Sequence, residues 1–239
     1  MRPTVRVEIA VEDLAGARAA AAAGAHRIEL CANLLAGGLT PSLGCLHMVR
    51  RIVAVEVACM IRPRGGDFVY GGDELEAMVR DIGHARDAGA DAVVLGCLTA
   101  TGRIDFAAMQ MLLAAAGPLP VTFHRAFDAI IDPEAALAEL IDLGVARLLS
   151  SGGARTAEAG AGALARLVAR AGAALVVMPG GGVRSHNAAA ILRATRASEI
   201  HSGAGRPVAS DDAAPGVPGS RWQTDAAEVE ALVRTVAEA

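Results

Sequence analysis

The chain contains no lysine, so all 22 of its basic residues are arginines. Catalysis through a Schiff base needs a lysine amine with a lowered pKa, as does pyridoxal phosphate held as an internal aldimine. Both chemistries are excluded. Aromatic residues make up only 3% of the 239 positions, and the formal net charge is −4. Without a basic cluster or an aromatic stripe, a nucleic-acid surface is not expected. Four cysteines (Cys31, Cys45, Cys59 and Cys97) include no Cys-x-x-Cys pair, which fits reduced thiols better than a disulfide framework. The hydrophobic fraction is 53% and the mean hydropathy +0.40. Much of that is alanine, and no apolar run approaches the roughly twenty residues that span a bilayer. Met1-Arg2-Pro3-Thr4 leads directly into an apolar segment, with no signal-peptide core. These absences predict a soluble cytoplasmic domain with no membrane or nucleic-acid partner.

What is present is an eightfold alternation. Apolar runs at Val5–Val11, Arg27–Cys31, Val53–Arg62, Ala92–Leu98, Val121–Arg125, Arg147–Gly152, Leu175–Gly182 and Glu199–Gly203 are separated by alanine-rich segments of helical periodicity. Strand–helix units recurring at roughly thirty residues predict an α/β fold, a single (β/α)8 TIM barrel covering residues 1–239. Helix signals agree: Asp73-Glu74-Leu75-Glu76 opens a helix, Asp132 precedes Pro133, Ser185 is placed to cap residues 187–193, and Thr224 to cap 226–237. Residues 204–223, rich in proline, glycine and aspartate, predict an irregular loop before the last helix and a candidate lid, with Trp222 the residue that docks it.

The ionisable residues gather where the strands end, the catalytic face of this fold. Alternation along a strand points Glu8 inward if Val7 and Ile9 pack outward. Glu29 and Cys31 share one face, as do Thr122 and His124, and Glu199 and His201. Arg62 ends the third run, and Arg125 follows His124. Glu8, Glu29, Arg62, His124, Arg125 and His201 are therefore the candidate catalytic set. In it, Glu8, Glu29 and an imidazole move protons while Arg62 and Arg125 hold an anion. A second set consists of backbone amides at Ser151, Gly152 and Gly153, at Gly180, Gly181 and Gly182, and at Ser202 and Gly203. With a helix starting near Ser185, these predict a phosphate or other anion site on the last three strands. On residues alone, the reading is an acid–base enzyme acting on a small phosphorylated or carboxylated metabolite.

Longer motifs add a family. Glu29-Leu30-Cys31 with Gly37-Gly38-Leu39-Thr40-Pro41-Ser42, then Ile61–Phe68 (IRPRGGDF), Val121–Asp128 (VTFHRAFD) and Met178–Val183 (MPGGGV) resemble the CutC copper homeostasis family along nearly the whole chain. The resemblance implies a cytoplasmic TIM barrel, usually a homo-oligomer, with a role in copper tolerance and Cu(I) as a ligand. Family members tend to carry a cysteine two residues after the first-strand glutamate, where this chain has Ala10. Cys31 is then the metal-ligand candidate, and the ligands to expect are a copper ion or a small anion. Alternation lets only one of Cys59 and Met60 face inward, while Cys45 and Cys97 are expected to be buried hydrophobes.

Overall fold

The computed structural model describes residues 5–209 and 220–239. Eight parallel strands alternate with helices: β1 (Arg6–Val11), α1 (Leu14–Ala22), β2 (Arg27–Leu30), α2 (Leu43–Ile52), β3 (Glu56–Met60), α3 (Gly72–Asp87), β4 (Ala92–Leu95), α4 (Phe106–Ala116), β5 (Val121–Phe123), α5 (Pro133–Asp142), β6 (Arg147–Ser150), α6 (Ala161–Ala171), β7 (Val176–Pro179), α7 (Ser185–Thr195) and β8 (Glu199–Ser202). After β8 come β9 (Gly205–Ala209), β10 (Ser220–Thr224) and α8 (Ala226–Ala237). Pairing runs from β7 through β1 and on to β8, so the sheet curls into a nearly closed barrel whose seam lies between β7 and β8. This is the expected TIM barrel. Among the described residues no helix is long and apolar enough to cross a membrane.

Period-two alternation separates two apolar clusters. Val7, Ile9, Val11, Ile28, Leu30, Val57, Cys59, Val93 and Phe123 face outward and form the main core with the helices. Cys31, Ala58, Met60, Ala92 and Val94 form a small inner cluster. Met60 is thus the inward member of its pair with Cys59. The inner cluster is small because charged residues fill other inward positions: Glu8, Arg27, Glu29, Glu199 and His201 are all buried.

The observed strands are shorter than the apolar runs, whose outer residues fall in the turns and loops on either side. Val53, for instance, caps α2 instead of opening β3. Three further expectations are corrected. Asp225, with its carboxylate on the amides of Ala227 and Glu228, caps α8 in place of Thr224, which lies in β10. Ser185 is the first residue of α7, not its cap; the Asn187 side chain accepts the Arg184 N–H, at 2.9 Å. Residues 205–209 and 220–224 form an antiparallel ribbon where a loop was expected, with Trp222 opposite Pro207 and Arg221 opposite Val208. Proline and glycine are tolerated there because a two-stranded ribbon consists only of edges. The rest of the expected lid, residues 210–219, lies outside the described residues, as does Met1–Thr4.

Candidate functional site

The interior of the barrel is charged at its floor and open at its mouth. At the amino ends of the strands, the Arg27 guanidinium is 1% exposed and is clamped between the carboxylates of Glu8 and Glu199. Arg147 adds Nε at 3.3 Å from Glu199. Such a cluster is tolerated inside a barrel only because the charges are paired. It fixes Glu8, whose other oxygen lies 2.7 Å from His201 Nδ1. On the far side of the ring, His201 Nε2 is 3.9 Å from Glu29 Oε2, and that oxygen accepts the Cys31 thiol at 3.5 Å. Glu29 Oε1 is buried with no partner among the described residues.

Burial alone would raise the Glu8 carboxyl, but Arg27 and His201 outweigh it and hold it down at about 2. Glu8 is therefore ionised and fixes the Nδ1–H tautomer of His201. Burial pushes Glu29 up, and the opposing pull of His201 does not offset it. Burial would lower His201, but Glu29 and Glu8 raise it above its ordinary value. His201 Nε2 and Glu29, each with its proton affinity raised, face each other across a gap of 3.9 Å, wide enough for an ion. Glu8, Glu29 and His201 each offer a ligand atom within 4.8 Å of the others. A histidine whose second nitrogen is held by a carboxylate is the usual orientation of a metal-bound imidazole. The Cys31 thiol is driven well above its usual range by burial and by Glu29, so it is held protonated.

Above this triad opens a cavity of about 370 Å3, lined among others by Glu29, Met60, His124, Arg125, Gly181, Gly182, Arg184, His201, Gly203 and Trp222. His124 fits because Gly96 has no side chain: a Cβ there would stand 2.8 Å from the imidazole. Burial, with Arg62 nearby, lowers His124 to about 3, so the ring is neutral. Its Nδ1 accepts the Ala126 N–H at 3.3 Å, which places the proton on Nε2, a buried donor without a partner.

The structure places Glu29, His124, Arg125 and His201 around one cavity, sets Glu8 beneath it against His201, and gives Arg62 a different task. Its guanidinium donates to the carbonyls of Ala36, Gly38 and Gly66 at 2.9 to 3.0 Å and lies over Phe68. It pins the loops around the mouth through both Nη atoms, while its buried Nε has no hydrogen-bond partner among the described residues. The expected anion cradle is only partly open. Asp128 accepts the amides of Ser151 and Gly153, at 3.0 and 3.2 Å, and both Ser150 and Ser151 hydroxyls, while Gly152 N–H turns onto Ser150 Oγ. Glu228 takes Ser185 N–H at the start of α7. Gly180 N–H is used by the Ser150 carbonyl, and Ser202 Oγ donates to Val183. Gly181, Gly182 and Gly203 remain, with N–H groups that meet no protein acceptor among the described residues. Sequence reasoning missed Arg27, Asp128 and Arg184. Alternation back from Glu29 would have placed Arg27 inward; nothing local marks Asp128 as the filler of a loop beyond the next helix.

A single-domain barrel with ionisable groups collected at the strand ends is a family architecture as well as a fold. The CutC family model matches residues 5–206, and the chain belongs to that family. It is 41% identical over 238 residues to a CutC family protein of Xanthomonas axonopodis pv. citri, covering 98% of this chain and 99% of the relative. It is 46% identical over 198 residues to the copper homeostasis protein cutC homolog of Mus musculus, covering 83% of this chain and 73% of the relative. A CutC crystal structure from Streptococcus agalactiae superposes with a TM-score of 0.80 at 36% identity, covering 83% of this chain and 98% of that one.

Proposed function

We propose that this protein acts in copper homeostasis and holds a copper ion between His201, Glu29 and Cys31. The observation that carries the reading is the gap between His201 Nε2 and Glu29 Oε2, an oxygen that the Cys31 thiol also approaches, at 3.5 Å. Met60 adds a thioether on the same inner face. Such a donor set mixes one soft thiol with carboxylate and imidazole, and Cu(I) prefers several soft ligands. Because Cys31 is protonated at rest, copper binding must release its proton. Cu(I) should therefore bind more weakly than in relatives with a second cysteine in place of Ala10. Titration against a competing Cu(I) chelator should show binding that is lost in Cys31→Ser and kept in Cys45→Ser, since Cys45 lies on α2 outside the barrel. Tight binding that survives Cys31→Ser would mean the metal sits elsewhere.

A second reading, acid–base catalysis on a small metabolite, is favoured by the unpartnered Glu29 Oε1 and by His201 Nε2 standing 3.9 Å from the other oxygen. In it, Glu29 and His201 exchange a proton with the substrate, and Glu8 orients the imidazole.

A further inference from the structure

We infer that the mouth of the barrel binds the phosphate group of a small organic phosphate, seated on Gly181, Gly182, Gly203 and Arg125, with the uncharged part of the molecule extending toward Glu29 and His124. The inference goes beyond the copper reading and is independent of whether the triad below carries a metal.

Three observations converge on it. Gly181 and Gly182 have φ values of +100° and +70°, a backbone that L side chains rarely adopt, in a tight turn that lines the cavity. Neither amide, nor that of Gly203 across the barrel seam, has a protein acceptor among the described residues, and all three residues line the cavity. A Cβ at Gly181 would lie 3.2 Å from Arg125 Cζ and Nη1, so the guanidinium stands directly against this turn. Arg125 is held in place by Asp128 at Nε and by Ser151 Oγ at Nη2, which leaves Nη1 for a ligand. The third observation is His124, 4% exposed, whose neutral ring presents an Nε2–H that nothing among the described residues accepts.

The cavity is polar in two senses. Arg125 follows β5 and Arg184 follows β7, whereas Glu29 stands on β2, across the barrel in the strand order, and all three line the cavity. A phosphate at the Glu29 end would meet a buried carboxyl, and at the Gly181 end it meets donors and cations. A neutral hydroxyl or carbonyl fits the other way round: His124 Nε2–H can donate to it and Glu29 can accept from it. An anion bearing a short uncharged polar body satisfies both ends within about 370 Å3.

Trp222, the only tryptophan, provides the readout, because its ring stands 3.2 Å from where a Gly203 Cβ would be. With a chelator present to remove metals, inorganic phosphate and glycerol phosphate are titrated at constant ionic strength, following Trp222 fluorescence and the thermal midpoint. A saturable change and a raised midpoint are expected with both and not with chloride, and glycerol phosphate should bind more tightly. Arg125→Gln should weaken binding about tenfold or more. Gly181→Ala, which removes no charge but strains the turn and crowds Arg125, should do the same if Arg125→Gln folds poorly. His124→Phe should remove the advantage of glycerol phosphate over phosphate and leave phosphate binding intact. No saturable response to either anion overturns the inference, and so does equal binding by wild type, Arg125→Gln and Gly181→Ala. A response seen only with added metal assigns the anion to the metal instead and also overturns it. Copper titration of the same samples is read separately, so failure of one reading does not stand for failure of the other.

Discussion

Arg27→Met is expected to lower the free energy of unfolding by about 3–5 kcal/mol, the range for removing one partner of a buried ion cluster. Methionine keeps most of the side-chain stem but leaves Glu8 and Glu199 inside the barrel without their guanidinium. The loss should depend on pH. Glu8 has a folded pKa of about 2, below its ordinary 4.5, so its pairing stabilises the fold above 4.5 and that contribution disappears as pH falls toward 2. The gap between wild type and variant should therefore be widest near neutrality and narrow across that interval. Denaturant unfolding at a series of pH values checks this. Adding Glu8→Gln and Glu199→Gln to Arg27→Met should recover much of the loss, because the orphaned charges are gone. A cost below about 1 kcal/mol would place Arg27 among exposed ion pairs, against its burial.

Asp128→Ala should be comparably severe, about 3–5 kcal/mol, since one carboxylate satisfies two amides, two hydroxyls and the Arg125 guanidinium. The variant also offers a second test. Its emptied loop becomes the anion nest that the glycine pattern alone suggested, so formate or acetate should restore part of the thermal midpoint in Asp128→Ala and leave wild type unchanged. No rescue by either anion, with the variant folded, would show that the loop relaxes once its carboxylate is gone.

That substitution also marks what the sequence could and could not convey. Strand alternation was enough to aim Glu8, Glu29, His124 and His201 inward, because outward apolar neighbours (Val7 and Ile9, Ile28 and Leu30, Phe123, Ile200) fix the face. It could not tell an amide turned to solvent from one already occupied. Ser151 and Gly153 look as available as Gly181 and Gly182 until Asp128, more than twenty residues earlier, is seen lying against them. Arg62 is a similar case: its position at the end of β3 was legible, but its three carbonyl partners come from loops whose approach depends on tertiary folding. The ribbon of β9 and β10 was hidden for another reason. Its prolines and glycines are penalised in a central strand, and no local signal says that a segment will pair only with itself.

The seam between β7 and β8 has a consequence of its own. In a fully laced barrel, every strand end would spend its amides on a neighbour. Here the order of pairing stops at β7 on one side and β8 on the other; Gly203 directly follows β8, and Gly181 lies two residues past β7. The missing stitches are thus where the scaffold keeps its spare donors: an incomplete closure supplies binding capacity that a perfect one would have consumed.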